Sequence, residues 1–241
     1  MSNKTTALVT GANKGIGFEI AAGLGALGWR VGVGARDRQR REDAVARLQE
    51  RGVDAFAVPL DVTDQDSVDA AAALLRDQEG RLDVLVNNVG ITGGGENQPT
   101  TADLDMVKAV VDTNVYGVIR VTNALLPLLR QAPSPRIVNL SSGVGSLTRQ
   151  SDPDGDVGPI HTAYSPSKTF LNAVTVQYVR ELRGTDVLVN LACPGFVATD
   201  LNGFRGHRTP EQGAQVAIRL ATLPDGGPTG GYFEDAGQIP W

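Results

Sequence analysis

The chain contains few of the residues that build metal sites and disulfide bonds. Its 241 residues include one cysteine, Cys193, and two histidines, His161 and His207. One cysteine excludes an intramolecular disulfide, and these three residues lack the spacing of a zinc motif. We therefore predict no metal site, and the cysteine usage suits a reducing, cytoplasmic compartment.

Long apolar runs and an excess of positive charge are also missing. The longest apolar candidate for a membrane span, residues 115–129, is interrupted by Arg120 and Pro127, so we expect no membrane-spanning segment. The formal net charge of −5 argues against a broad nucleic-acid-binding surface. A strand-like run starts at residue 5, so we also expect no signal peptide.

Short apolar runs alternate with longer segments of helical spacing along the whole chain. The runs are rich in Val and Leu and apolar at consecutive positions, as in strands buried on both faces. This alternation predicts an α/β fold with a doubly wound parallel sheet of about seven strands and helices on both faces. The predicted strands are residues 5–10, 30–35, 53–58, 83–87, 136–140, 186–191 and 231–234.

No linker separates the predicted strands and helices, so we predict a single domain over residues 1–241. A helix is expected at residues 64–79, ending before Gly80, and another begins near Tyr164. Residues 146–162 are rich in Pro, Gly and Asp and are interpreted as an irregular surface insertion. Ligands of such sheets bind beyond the carboxyl ends of the strands, so functional residues are expected directly after strands.

A glycine-rich turn follows the first strand, with the sequence Thr10-Gly11-Ala12-Asn13-Lys14-Gly15-Ile16-Gly17. Glycines allow the backbone to approach a pyrophosphate closely, and the N-terminus of the next helix supplies a favourable field for its charge. Because the turn lies between a strand and an amphipathic helix, it predicts dinucleotide binding rather than a structural loop.

The spacing of this turn resembles the TG-x-x-x-G-x-G turn of the short-chain dehydrogenase/reductase family. The further motifs in family order are Asn87-Asn88-Val89-Gly90, Asn114, Ser141-Ser142, Tyr164-x-x-x-Lys168 and Cys193-Pro194-Gly195 with Thr199. Val89 stands where the family usually has alanine. Within the family the chain is most similar to the carbonyl-reductase branch.

This resemblance implies one Rossmann-type domain that binds NADP(H) and reduces a ketone or aldehyde to an alcohol. It implies a small-molecule substrate, no nucleic acid and no membrane, and it leaves a monomer, a homodimer or a homotetramer open. The cofactor-binding residues it implies are Gly11, Asn13, Lys14, Gly15, Ile16, Gly17, Arg36, Asp61, Val62, Asn88, Val89, Gly90, Tyr164, Lys168, Pro194, Gly195, Val197 and Thr199.

Two charged residues after the second strand bear on the choice between NADP and NAD. Arg36, with Lys14 in the turn, favours the 2′-phosphate of NADP. Asp37 is the contrary signal, because NAD enzymes of this fold place an acidic residue there for the ribose 2′-hydroxyl. The alternative for Arg36 is that it opens a solvated arginine-rich helix, and the alternative for Asp61 is a helix N-cap.

Tyr164 and Lys168 are four residues apart on a predicted helix and therefore share one face. Hydride transfer to a carbonyl leaves an alkoxide that must be protonated, and a nearby ammonium lowers the pKa of a phenol towards the operating pH. Tyr164 is therefore the predicted general acid, and the general base in the reverse reaction. The resemblance implies that Lys168 also holds the nicotinamide ribose.

Two polar residues complete the predicted catalytic set of Asn114, Ser142, Tyr164 and Lys168. Ser142 aligns with the substrate-orienting serine, whose hydroxyl donates to the carbonyl oxygen as charge builds; Ser141 is the alternative. Asn114 resembles a residue that holds a water leading protons to the lysine. Its alternative is a buried polar residue satisfied by backbone.

The substrate pocket is predicted from the segments that follow the strands. We expect its walls at Val144 and Gly145, at the insertion, at residues 93–95 and at a substrate loop, residues 195–208, that closes as a lid. These residues indicate a medium-sized, largely apolar carbonyl compound. The insertion resembles one that carbonyl reductases place over a helix face used elsewhere in the family for oligomer contacts.

A second class of function stays open: a regulator of the same fold that binds NADP(H) and a partner protein without turnover. Family members of that type have usually lost the tyrosine or the lysine, and both are present here. Such a regulator would bind the reduced cofactor without consuming it.

Overall fold

Eight strands form one sheet in the computed structural model, which describes residues 4–94, 98–155 and 158–241. The strands are β1 (Thr6–Thr10), β2 (Arg30–Ala35), β3 (Asp54–Pro59), β4 (Val84–Asn87), β5 (Arg136–Leu140), β6 (Leu188–Ala192), β7 (Tyr232–Glu234) and β8 (Gly237–Gln238). The seven predicted strands are confirmed with bounds shifted by no more than two residues. The two-residue β8 was not predicted.

Helices connect the strands and cover both faces of the sheet. They are α1 (Gly15–Ala26), α2 (Arg38–Glu50), α3 (Gln65–Glu79), α4 (Leu104–Val111), α5 (Gly117–Leu129), α6 (Leu147–Gln150), α7 (Tyr164–Glu181) and α8 (Pro210–Ala221). In the part of the chain that the structure describes, none of the helices has the length and apolar character required to cross a membrane.

The sheet order is β3-β2-β1-β4-β5-β6-β7-β8, parallel through β7 and antiparallel at β8. The direction of winding therefore reverses between β1 and β4. In doubly wound sheets the ligand crevice lies at this reversal, beyond the carboxyl ends of the strands. The predicted α/β doubly wound fold is confirmed, and its topology locates the site.

Two apolar layers bury the sheet, as consecutive apolar positions in the strands predict. Within β1, Ala7 and Val9 pack in one layer and Leu8 packs in the other, because successive strand residues point to opposite faces. Phe18 of α1 and Val216 of α8 belong to the first layer. The second layer is formed by α3, α5 and α7, with members that include Leu75, Leu125 and Tyr178.

The caps of α3 explain why its bounds could be predicted. The side chain of Asp64 accepts a hydrogen bond from the backbone amide of Asp66, and so caps the first turn. Gly80 ends the helix with φ = 76°, a left-handed conformation that glycine adopts without steric cost. The predicted helix at residues 64–79 is therefore confirmed with its stop signal.

We expect Gly80→Ala to lower the free energy of unfolding by about 1 kcal/mol, because an alanine Cβ is strained in the left-handed region. Apart from the two adjoining residues, no atom of the residues that the structure describes lies within 4 Å of the Cβ position, so the effect isolates backbone strain. Gly80→Asn is the matched control and should lose less, since asparagine tolerates this conformation. Urea unfolding measures both; equal midpoints for glycine and alanine would contradict the assignment.

Candidate functional site

A cavity of about 680 Å³ runs along the carboxyl ends of β1 to β5, from the glycine-rich turn to the start of α7. Of the predicted cofactor residues, Gly195 and Val197 do not line it. Both shape the loop instead: Gly195 packs against Arg208, and Val197 is buried against Gly213 of α8. The predicted residues that line the cavity are Gly11, Asn13, Lys14, Gly15, Ile16, Gly17, Arg36, Asp61, Val62, Asn88, Val89, Gly90, Tyr164, Lys168, Pro194 and Thr199.

The glycine-rich turn is held against the end of β4. Asn88 donates from Nδ2 to the carbonyl oxygen of Thr10 at 2.9 Å and from its backbone amide to Thr10 Oγ1 at 2.9 Å. A Cβ at Gly17 would lie 2.5 Å from both Asn88 Nδ2 and the Gly11 carbonyl oxygen. The third glycine of the motif is therefore required by close packing, and two motifs far apart in sequence form one surface.

Positive charge collects where the cavity passes the end of β2. Lys14, Arg36 and Arg40 line this end. Asp37 lines it too, but its carboxylate caps α2 by accepting from the Arg40 amide at 2.9 Å. The alternative that Arg36 opens the helix is wrong, because α2 begins at Arg38 after the Asp37 cap. Arg40 was missed; its only sequence signal is the run of arginines it belongs to.

An ion pair joins the glycine-rich turn to the substrate loop. Lys14 Nζ lies 3.0 Å from Asp200 Oδ2, and the bond to Lys14 holds the pKa of that carboxyl below its usual range. A Cβ at Gly15 would lie 3.5 Å from the Thr199 methyl group. Asp200 was not predicted, although it directly follows a motif residue. The loop thus contacts the turn on the cavity side.

Asp61 lies in the cavity wall with Val62 beside it. Its alternative interpretation as the N-cap of the next helix is wrong, since Asp64 caps α3. Asp61 Oδ1 instead accepts from the amide and hydroxyl of Thr63, at 3.0 and 2.7 Å. Burial acts to raise the pKa of Asp61, but these bonds and the charge of Arg36 bring it below the usual value.

Tyr164 and Lys168 lie on one face of α7 and line the far end of the cavity. Lys168 Nζ lies 5.7 Å from the centre of the Tyr164 ring and donates to the Leu140 carbonyl oxygen at 2.8 Å. Burial raises the pKa of Tyr164 to about 12 and lowers the pKa of Lys168 to about 8. The expectation that the ammonium lowers the tyrosine pKa is wrong for this geometry, because desolvation outweighs an ammonium directed at a carbonyl.

The two serines after β5 have different partners. The Ser142 side chain hydrogen-bonds to Tyr164, which acts to lower the tyrosine pKa against the larger effect of burial. Ser141 Oγ donates to Asn172 Oδ1 at 2.6 Å. Ser142 is not among the residues lining the cavity, whereas Ser141 is. The side-chain contact with the phenol favours Ser142 over Ser141.

Asn114 is fully buried in a π-helical turn, Asp112–Tyr116, between α4 and α5. Its Oδ1 accepts from the Ile91 amide at 2.8 Å, and its Nδ2 donates to the Ile91 carbonyl at 2.9 Å and to Ser167 Oγ at 3.0 Å. The structure therefore brings it to the strand end beside α7, with the backbone contacts that its alternative interpretation describes. Its role as a water holder stays a prediction.

Only some of the residues predicted to form the walls of the substrate pocket line the cavity. Gly93, Gly94 and Leu201 line the cavity, while Gly95 and residues 156–157 of the insertion lie outside the described residues. Val144 and Gly145 do not line it. Gly145 is buried against α7, where a Cβ would lie 3.0 Å from Lys168 backbone. The absence of a side chain at Gly145 allows close packing against α7 and does not shape the pocket.

The chain is similar to known proteins over most of its length. A family model described as short chain dehydrogenase matches residues 5–209. The chain is 34% identical to carbonyl reductase [NADPH] 1 of Bos taurus, over 100% of this chain and 99% of that protein. It is also 34% identical to short-chain dehydrogenase/reductase 1 of Saponaria officinalis, over 97% and 95% of the two chains.

Two solved structures share the fold over nearly their whole length. Salutaridine reductase from Papaver somniferum superimposes with a TM-score of 0.85 at 31% identity, covering 96% of this chain and 100% of that chain. An NADPH-bound carbonyl reductase from chicken fatty liver gives a TM-score of 0.85 at 28% identity, covering 100% of both chains.

The buried ammonium predicts a pH dependence of stability. Because burial lowers the pKa of Lys168 from 10.5 to about 8, the unfolded chain binds a proton between these values that the folded chain does not. Stability therefore rises with pH through this window, and the cost of burying the charge is fully present below about pH 8.

Between pH 7.5 and pH 10, we expect the free energy of unfolding of the wild type to rise by about 2 kcal/mol relative to that of Lys168→Met. Methionine keeps the length of the side chain and removes the titration. Urea unfolding of both proteins across this range measures the shift. A difference that stays constant with pH would show that the ammonium is not desolvated.

Proposed function

The chain belongs to the short-chain dehydrogenase family, and from this membership we propose that it is an NADPH-dependent oxidoreductase that reduces a ketone or aldehyde to an alcohol. The observation that carries the proposal is one cavity with two chemically distinct ends. Lys14 and Arg36 lie at the cationic end, and Tyr164 and Lys168 lie at the other. The cavity extends between these ends, so a dinucleotide could reach both.

The residues at the cationic end fit a dinucleotide with a 2′-phosphate. Gly11 and Gly17 let the turn pack closely against Asn88, and the N-terminus of α1 favours a pyrophosphate. Arg36 and Arg40 supply guanidinium groups that match phosphate oxygens. Lys14 adds a third cation, held by Asp200. Bound here, NADPH supplies the hydride.

Tyr164 supplies the proton in the proposed reduction. With a pKa of about 12, its phenol stays protonated at neutral pH and can donate to the alkoxide that hydride transfer leaves. Ser142 hydrogen-bonds to the phenol and is proposed to donate to the same substrate oxygen as its charge develops. The reverse reaction requires the phenolate as general base, a form that this pKa disfavours at neutral pH.

Lys168 and Asn114 support this proton transfer. Lys168 is proposed to hold the nicotinamide ribose hydroxyls with the ammonium that now donates to Leu140. A Cβ at Gly90 would lie 3.5 Å from Asn114 Oδ1 and 3.6 Å from Lys168 Nζ, so both polar groups face the same glycine. That proximity supports Asn114 as the holder of a water that returns protons to Lys168.

The substrate is proposed to be a medium-sized, largely apolar carbonyl compound. Leu201 lines the cavity, and Phe196 and Phe204 of the same loop are largely exposed. Exposed aromatic side chains on a loop beside a cavity favour an apolar ligand over a highly charged one. A clear preference for highly charged or carrier-protein-bound substrates would contradict this part of the proposal.

We expect Tyr164→Phe to lower kcat by about 10²- to 10⁴-fold, the usual contribution of a general acid, and to leave the NADPH dissociation constant within a few-fold of the wild type. Loss of absorbance at the reduced-nicotinamide band with a panel of activated ketones measures kcat. The control is Tyr178→Phe, which removes a buried hydroxyl bonded to Asn123. Wild-type protein that binds NADPH without consuming it would instead favour the non-catalytic regulator.

We expect Arg36→Leu to weaken NADPH binding by about 10- to 100-fold, the effect of losing charge-assisted hydrogen bonds, and to leave NADH binding unchanged. Arg38→Leu is the matched control: Arg38 is exposed, pairs with Glu42 and does not line the cavity. Dissociation constants for both cofactors come from fluorescence titration. An equal loss for NADPH and NADH would contradict a 2′-phosphate contact.

A further inference from the structure

Strand β7 contacts the Ser142 segment through a residue that does not line the cavity. Tyr232, the first residue of β7, is fully buried, and its hydroxyl donates to the carbonyl oxygen of Ser142. Tyr232 does not line the cavity. It therefore contacts the proposed catalytic serine through the main chain rather than through the substrate space.

The same hydroxyl lies beside a buried polar network that also holds the serine segment. The Ser141 and Asn172 side chains lie near the Tyr232 hydroxyl and act to lower its pKa. Asn172 of α7 accepts from Ser141 Oγ at 2.6 Å and donates from Nδ2 to the Gly145 carbonyl at 3.1 Å. Buried polar networks with satisfied bonds fix a unique arrangement. Here that arrangement is the backbone from Ser141 to Gly145.

A second contact from β7 holds the residues that follow. Glu234 lies two positions after Tyr232 and so points to the same face of the strand. Its carboxylate pairs with Arg149 of α6 through two bonds, at 2.7 and 3.2 Å. The Arg149 guanidinium lies 3.1 Å from the Cβ position of Gly143. One face of β7 thus contacts Ser142 directly through Tyr232 and approaches Gly143 through Arg149.

The Tyr232 hydroxyl is suited to donate a hydrogen bond at every pH of an ordinary assay. Burial raises the pKa of Tyr232 above its usual range, so the group keeps its proton throughout an ordinary assay range. A buried carbonyl that lost this donor would be left unsatisfied, and its segment would shift to find another partner. A shift of about 1 Å in a group that touches the substrate is enough to reduce turnover by up to about 100-fold.

We propose that Tyr232 is a positioning residue for Ser142: through its bond to the Ser142 carbonyl, beside the Ser141–Asn172 pair, it sets the serine hydroxyl against Tyr164. This inference rests on the proposed function, in which Ser142 acts on the substrate oxygen. It assigns a role in turnover to a residue that touches neither the substrate space nor the cofactor cavity.

Tyr232→Phe removes the hydroxyl and keeps the ring. We expect kcat for ketone reduction to fall about 10-fold, within the range for a displaced reacting group, while the NADPH dissociation constant stays at the wild-type value. Tyr178→Phe is the matched control, since it also removes a buried hydroxyl, one bonded to Asn123. Both variants should lower the melting temperature by similar amounts, and only Tyr232→Phe should change kcat.

A double-mutant cycle separates positioning from a general structural effect. In a Ser142→Ala background the group through which Tyr232 acts is gone, so adding Tyr232→Phe should leave kcat unchanged. The same fold-loss in both backgrounds would overturn the proposal. Wild-type kcat in the single variant Tyr232→Phe would also overturn it.

A second variant and the activity of the wild type cover the remaining outcomes of the test. If Tyr232→Phe does not fold, Ser141→Ala removes the neighbouring hydroxyl of the same network; it should lower kcat in the wild-type background and not in Ser142→Ala. Wild-type kcat in Ser141→Ala would then overturn the proposal. A wild-type protein without ketone reductase activity would refute the proposed function itself, a result distinct from a failure of the Tyr232 variants.

Discussion

The buried ammonium of Lys168 is the constraint around which the site is arranged. Its bond to the Leu140 carbonyl joins the end of β5 to the first turns of α7, and Gly145 lets the two segments approach without a side chain between them. This junction brings Tyr164 and Ser142 together. Burying a charge opposes folding, so the chain retains at this point a group that favours chemistry over stability.

The rest of the cavity separates a basic end from the end that holds the tyrosine–lysine pair. Cations and the helix N-terminus collect at the carboxyl ends of β1 and β2, whereas the end beside α7 holds one desolvated ammonium and a protonated phenol. Asn88 bridges the two halves, because it bonds to the turn after β1 from the strand that leads towards the catalytic end. A ligand with an anionic and an uncharged end suits such a cavity.

The sequence predicted the elements whose signals are local. Buried parallel strands appear as continuous apolar runs, and Asp64 and Gly80 mark the ends of α3 through their own side chain and backbone. Features that depend on the folded surroundings could not be predicted from the sequence. Strand β8 has two residues and is too short to show a pattern. Asp200 and Tyr232 gain partners that are far away in sequence. The direction of the Tyr164 pKa follows from burial, which residue spacing does not reveal.

The contact between β7 and the Ser142 segment also bears on synthesis. Tyr232 and Glu234 follow Ser142 and Arg149 by 90 and 85 residues. A nascent chain that has left the ribosome only as far as β6 would already display the turn, the serine pair and the tyrosine–lysine pair. It would still lack the strand that holds the Ser142 segment and Arg149. Assembly of this corner of the enzyme is therefore delayed until translation has delivered residues 232–234.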